Sequence, residues 1–109
     1  MLAHIPDLLQ GTLDLLILKS LASAPLHGWA ISKRIQQMSS DVLTVNQGSL
    51  YPALYRLEDR GWIASKPALS PEGRRIKVYR LTADGRRQLS HEIDAWRYFA
   101  RAIDHVVAT

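Results

Sequence analysis

The chain has 109 residues, 47% hydrophobic and 22% charged, which fits one small globular domain with room for a single projecting element and excludes both a two-domain enzyme and a disordered polyelectrolyte. Lysine and arginine number 14 against 10 acidic residues, a net charge of +4 that favours an anionic partner. Cysteine is absent, which removes disulfide scaffolds and thiolate metal sites.

Residues 11–24 read as a first helix with two apolar stripes, Leu13, Leu16, Ile17 and Leu21 on one side and Leu15, Leu18 and Ala22 on the other. Such a helix must be covered on both sides. Asp14 and Lys19 interrupt the run and no basic leader precedes it, so neither a signal peptide nor a membrane span is expected, and the cytoplasm is the expected compartment. Pro25 stops this helix, and a second follows at about 27–38, with Ile31, Ile35 and Met38 facing inward. Gly28 near its start predicts close approach to another backbone. Trp29 lies roughly opposite the inward stripe and is expected to be covered by the final helix or by a partner subunit. A polar break at 39–41 leads into 42–45, a short strand or extended link.

A third helix begins between positions 46 and 49, because Asn46, Ser49 and the early Pro52 are all N-terminal signals. Leu50, Leu54 and Leu57 form its buried stripe. Gly61 supplies a left-handed cap and Trp62 can fold back on Leu57, so the helix ends near Arg60. Segments 63–69 and 75–81 read as strands around Ser70, Pro71, Glu72 and Gly73, a turn composition, and so form a hairpin whose first strand Pro67 marks as an edge. Thr82 caps a long final helix. Its apolar residues Leu89, Ile93, Trp96, Ala100, Ile103 and Val107 alternate spacings of four and three, a heptad seam too short for a free-standing coiled coil and suited to completing a dimer core. The expected fold is therefore mainly α with a small β-hairpin: a winged helix-turn-helix at 1–81 followed by a C-terminal dimerisation helix at 82–109.

Three helices and a basic hairpin, in that order, place the third helix in a DNA major groove and the hairpin along the backbone. Around the hairpin Lys66, Arg74, Arg75, Lys77 and Arg80 face only Glu72 as an opposing charge, an arrangement suited to phosphates. The same cations could instead only solubilise an edge strand. Opposite the buried stripe, the third helix carries Gly48, Pro52, Tyr55, Arg56 and Asp59, with Ser49 and Tyr51 on its flanks and Gln47 at its entrance. Glutamine, arginine, serine and tyrosine side chains of this kind read bases or hold phosphates. Tyr51 is divided between packing and contact, whereas Tyr55 and Arg56 are expected to point outward at DNA. His4, His27, His91 and His105 are scattered without metal-ligand spacing, and no nucleophile elbow or P-loop occurs, so no enzyme and no cofactor are expected. His27 reads as a capping or hydrogen-bonded structural residue, and Glu92 and Asp94 as solvated charges. Trp96 either fills the seam or, with its symmetry mate, leaves a flat slot for an aromatic ligand.

The motifs His27-Gly28-Trp29, Gly48-Ser49-Leu50-Tyr51-Pro52-Ala53-Leu54, Arg56-Leu57-Glu58, Gly61-Trp62-Ile63 and Tyr79-Arg80-Leu81-Thr82 with Gly85 resemble those of the PadR family of bacterial transcriptional regulators, from about Leu13 to Leu89. The resemblance implies a homodimer held by its first and last helices, and repression of a promoter relieved by a small aromatic or drug-like molecule. It implies DNA contacts at Gln47, Ser49, Tyr51, Pro52, Tyr55 and Arg56 and at the wing residues Arg74, Arg75 and Lys77. It also implies an effector site near the dimer interface, at Trp96 and Phe99. The single final helix resembles the short subgroup. Trp29 stands where tyrosine is usual, and Tyr55 where a lysine or arginine often stands. The expected partners are double-stranded DNA bearing an inverted repeat, a second copy of the chain and an effector, with no membrane. The alternative is a winged helix that binds protein and no nucleic acid.

Overall fold

Polar breaks and prolines divide the chain into four helices and a hairpin. The computed structural model describes residues 3–4 and 10–109. Helices α1 (Gln10–Ser20), α2 (Gly28–Met38), α3 (Gln47–Asp59) and α4 (Ala83–Ala108) are joined by strands β1 (Ala3–His4), β2 (Leu26–His27), β3 (Leu43–Thr44), β4 (Ile63–Leu69) and β5 (Arg75–Leu81). This is the winged-helix order read from the sequence, with both strands of the hairpin at the expected bounds.

Buried Leu13, Ile17, Leu18 and Leu21 put α1 at the centre of the core. Helices α2 and α3 contribute Ile31, Ile35, Leu50, Ala53, Leu54 and Leu57, the hairpin adds Ile63, Tyr79 and Leu81, and Leu89 of α4 joins them. Each stripe has less fully covered members, since Leu16 of the first and Leu15 and Ala22 of the second are half-buried at the edge of this cluster while Leu18 is buried. Helix α1 ends at Ser20 rather than at 24. Its last turn tightens, with the Leu21 amide donating to both the Ile17 and Leu18 carbonyls and the Ala22 amide to that of Lys19, before Pro25 disfavours helical geometry in the residue ahead of it.

Two expectations for α2 need correction. Met38 is exposed, because Gly28, Ile31 and Ile35 complete the buried face. His27, expected to open the second helix, instead forms β2 with Leu26 and the two pair with Val78 and Tyr79 of β5, so the sheet has three antiparallel strands in the order β2-β5-β4. Strand β4 lies at the edge, as Pro67 requires, with Pro67 opposite Lys77.

The caps of α3 match their sequence signals. The Asn46 side chain accepts from the Ser49 amide at 2.8 Å. At the other end Gly61 adopts φ +78°, its amide donates to Glu58 and the Trp62 amide donates to Leu57, a Schellman arrangement that only a residue tolerant of positive φ closes without strain. Thr82 caps α4 by accepting from the Gly85 amide at 2.9 Å. Gly85 lies so tightly against the Trp62 carbonyl that any Cβ there would collide with it. The α3 terminus, the start of β4 and the start of α4 are thereby locked together. Among the described residues, no helix is long and apolar enough to cross a membrane.

Candidate nucleic-acid interface

The hairpin and α3 line a groove of about 1050 Å³, to which His27 and the first turn of α2 also contribute. Alternation along β5 explains its far wall. Arg75, Lys77 and Tyr79 share one face of the strand, and the pairings of Arg75 with Leu69 and of Tyr79 with Ser65 bring β4 residues onto that face. Arg74, Arg75 and Lys77 are exposed and line the groove. The turn that presents them is fixed by Ser70, whose hydroxyl accepts from the Arg74 amide at 3.0 Å while its carbonyl accepts from Gly73 at 2.9 Å. Lys66 and Arg80 are exposed but do not line the groove, as their strand positions place them on the other face.

The near wall is α3. Gln47, Tyr51, Tyr55 and Glu58 line it, and Tyr55, at 78% exposure, stands farthest from the core. Glu58 is anchored at the base by the Ser65 hydroxyl, which donates to its Oε2 at 2.5 Å. Tyr79 sits beside it with its phenol pushed above the usual tyrosine range by burial, then by Glu58 and Tyr51, so its hydroxyl keeps its proton and remains a donor. Tyr51 is half in and half out: its side chain lies across Gly28, where an added Cβ would come within 2.7 Å of the phenol oxygen. The close approach expected at Gly28 is thus made by a side chain, not by a backbone.

The remaining residues expected on the DNA side do not line the groove. Ser49 is half-buried, its amide held by Asn46, and Pro52 lies exposed on the solvent ridge of α3. Arg56 does not point outward. It turns to the opposite flank of α3, where its Nη2 donates to Asp14 Oδ1 of α1 at 2.5 Å. At spacings of four and three, Gly48, Pro52, Tyr55 and Asp59 form the outward ridge; Arg56 falls one position beyond it, toward the α1 side.

The entrance of α2 supplies residues that the sequence reading placed elsewhere. Trp29, expected under α4 or a partner, instead faces this groove and is half exposed. Its ring stacks on His27, with centroids 6.3 Å apart, and the Lys33 ammonium lies 5.0 Å over it. His27 occupies the N-cap position of α2, but its side chain makes no capping bond. The available signal was the helical spacing: with Ile31 and Ile35 inward, Trp29 and Lys33 share a face four residues apart.

Helix α4 leaves the core after Ile93. Trp96 (43% exposed), Ile103 (44%) and Val107 (77%) continue the seam into solvent, and Phe99 packs a tilted ring 6.3 Å from Trp96. Glu92, expected to be solvated, is half-buried and accepts from the Gln88 side chain at 2.8 Å.

Comparison with known proteins follows the same lines. The model of the transcriptional regulator PadR-like family matches residues 17–91. A transcriptional regulator of Mycobacterium tuberculosis is 35% identical over 87 residues, covering 80% of this chain and 78% of that protein. Among solved structures, a transcriptional regulator from Clostridium thermocellum superposes with a TM-score of 0.83 at 27% identity, over 92% of this chain and 97% of that one. A PadR family transcriptional regulator from Eggerthella lenta gives 0.79 at 28% identity, over 94% and 88%.

Proposed function

The chain belongs to the PadR-like family of transcriptional regulators, and from that premise we propose that it is a homodimeric repressor of an inverted-repeat operator, released by a small aromatic effector. DNA-binding regulation of transcription, not catalysis, is the activity of the family. The observation that carries the reading is the groove, which Gln47, Tyr51 and Tyr55 of α3 line together with the wing cations Arg74, Arg75 and Lys77. Tyr55 and Gln47 offer hydrogen bonds to base edges, while the wing cations, together with Trp29 and Lys33 at the α2 entrance, hold phosphates. Pro52 contacts the duplex through the α3 ridge, and Ser49 acts from its half-buried position at the helix start. Residues 1–81 serve DNA binding and 82–109 dimerisation, although Leu89 ties the second segment into the core of the first. The exposed seam supports a second copy, and the Trp96–Phe99 pair supports an aromatic effector at that interface. A soluble regulator of this kind works in the cytoplasm.

Selection of bound fragments from a random duplex library tests the reading. Enrichment of an inverted repeat with half-sites about one helical turn apart, ~34–36 Å, is expected. A folded chain that enriches no duplex would favour the winged helix as a protein-binding module.

A further inference from the structure

Arg56 and Asp14 lie 42 positions apart in sequence and form an ion pair between α3 and α1 with side-chain exposures of 26% and 12%. Beside this pair, α3 and α1 share the apolar core, in which Leu50, Ala53, Leu54 and Leu57 cluster with Leu13, Ile17 and Leu18. Such an apolar seam, with the Glu58–Ser65 bond and Tyr51 over Gly28, sets the coarse rotation of α3, but apolar burial is non-directional and discriminates poorly between nearby rotations. The guanidinium bond is directional. The pair also lies near α4, since Arg60, the C-cap of α3, and Glu92 of α4 are the other charges acting on Asp14. Burial outweighs the guanidinium and holds the Asp14 carboxyl above its ordinary range, with Arg56 and Arg60 pulling it down and Glu92 adding to the rise. A pair whose desolvation exceeds its attraction adds little stability over an apolar substitute, and what it can supply is geometry.

We propose that Arg56 is a positioning residue: its bond to Asp14 sets the rotation of α3 and thereby the bases that Tyr55 and Gln47 reach, while Arg56 itself contacts no base. The proposal deepens the operator reading and rests on it. It places a determinant of specificity on the protected flank of the recognition helix, away from the duplex.

The test uses the full chain, the duplex enriched by the wild type, and the set of its single-base variants, with binding read by fluorescence anisotropy and folding by thermal melting. Asp14→Leu, Arg56→Met and the double replacement are compared with wild type. The double variant is expected to melt at or above the wild-type temperature and yet to lose discrimination about tenfold at several base pairs, the scale of one good base contact. Each single variant is expected to lose the same discrimination, with no further loss in the double. Should Arg56→Met fail to fold, Asp14→Leu and the double carry the test alone. Loss confined to one base pair in Arg56→Met, with Asp14→Leu unchanged, would make Arg56 a base contact and overturn the proposal. Wild-type discrimination in folded Asp14→Leu or in the double would also overturn it, leaving the operator reading intact. A wild type that binds no duplex overturns both.

Discussion

Asp14 and Arg56 show how unequal the two halves of an ion pair can be. Removing Asp14 leaves a guanidinium that is one quarter exposed and can reach water, whereas Arg56→Ala strands a carboxylate in the core. Arg56→Ala is therefore predicted to destabilise the fold by about 3 kcal/mol near neutral pH and Asp14→Leu by far less. The sign of the pH dependence follows from the raised carboxyl. The folded state holds the Asp14 proton more tightly than the unfolded chain, whose reference is 3.8, so the contribution of Asp14 to stability falls as pH rises from that reference through its folded value. The Arg56→Ala penalty should shrink as acid neutralises the stranded group, and urea titrations at pH 7 and below about pH 5 measure it. A penalty that is equal at both would show that the carboxylate is not the cause. Gly85 gives a second case. Its Cα lies against the Trp62 carbonyl, a backbone atom with nowhere to move, and Gly85→Ala is predicted to lower stability by about 1–3 kcal/mol in thermal melts. An unchanged melting temperature would mean that the start of α4 shifts freely.

At the scale of elements, the proposed function gives the wing a role through charge and α3 a role through hydrogen bonds to base edges. Replacing Arg74 and Arg75 with alanine is predicted to weaken cognate and random duplexes alike, and to flatten the log-log salt dependence by about 0.9 for each phosphate contact removed. Titration at several salt concentrations reads the slope, and an unchanged slope would take the wing off the DNA. How much of this was legible in the sequence depended on whether the cause was local. The hairpin bounds and both ends of α3 were readable because turn and cap residues act within a few positions: Ser70 to Gly73, Asn46 on Ser49, Gly61 on Glu58. Strand β2 was not, because two residues carry no alternation and their partner lies across the chain in β5. Met38 and Trp29 were misplaced for a related reason. Helical spacing names the faces of α2 but not what each face meets. Arg56 stood at the border between ridge and flank, and only the carboxylate on α1 decides its direction.

For the whole molecule, the apolar half of α4 and the basic groove make a single argument. A monomer seldom leaves a contiguous face such as Trp96, Phe99, Ile103 and Val107 in water. In the proposed dimer a second copy covers it and brings two grooves to one duplex, and the net charge of +4 per chain doubles with it. The heptad spacing made this seam legible from the sequence, whereas the groove required the fold, since its walls come from α2, α3 and the wing. The most direct measurement is the mass of the protein–DNA complex by sedimentation equilibrium, on the selected inverted repeat and on a duplex carrying one half-site. The account predicts two chains on the whole site and much weaker binding to the half-site. A single chain bound equally well to both would contradict it.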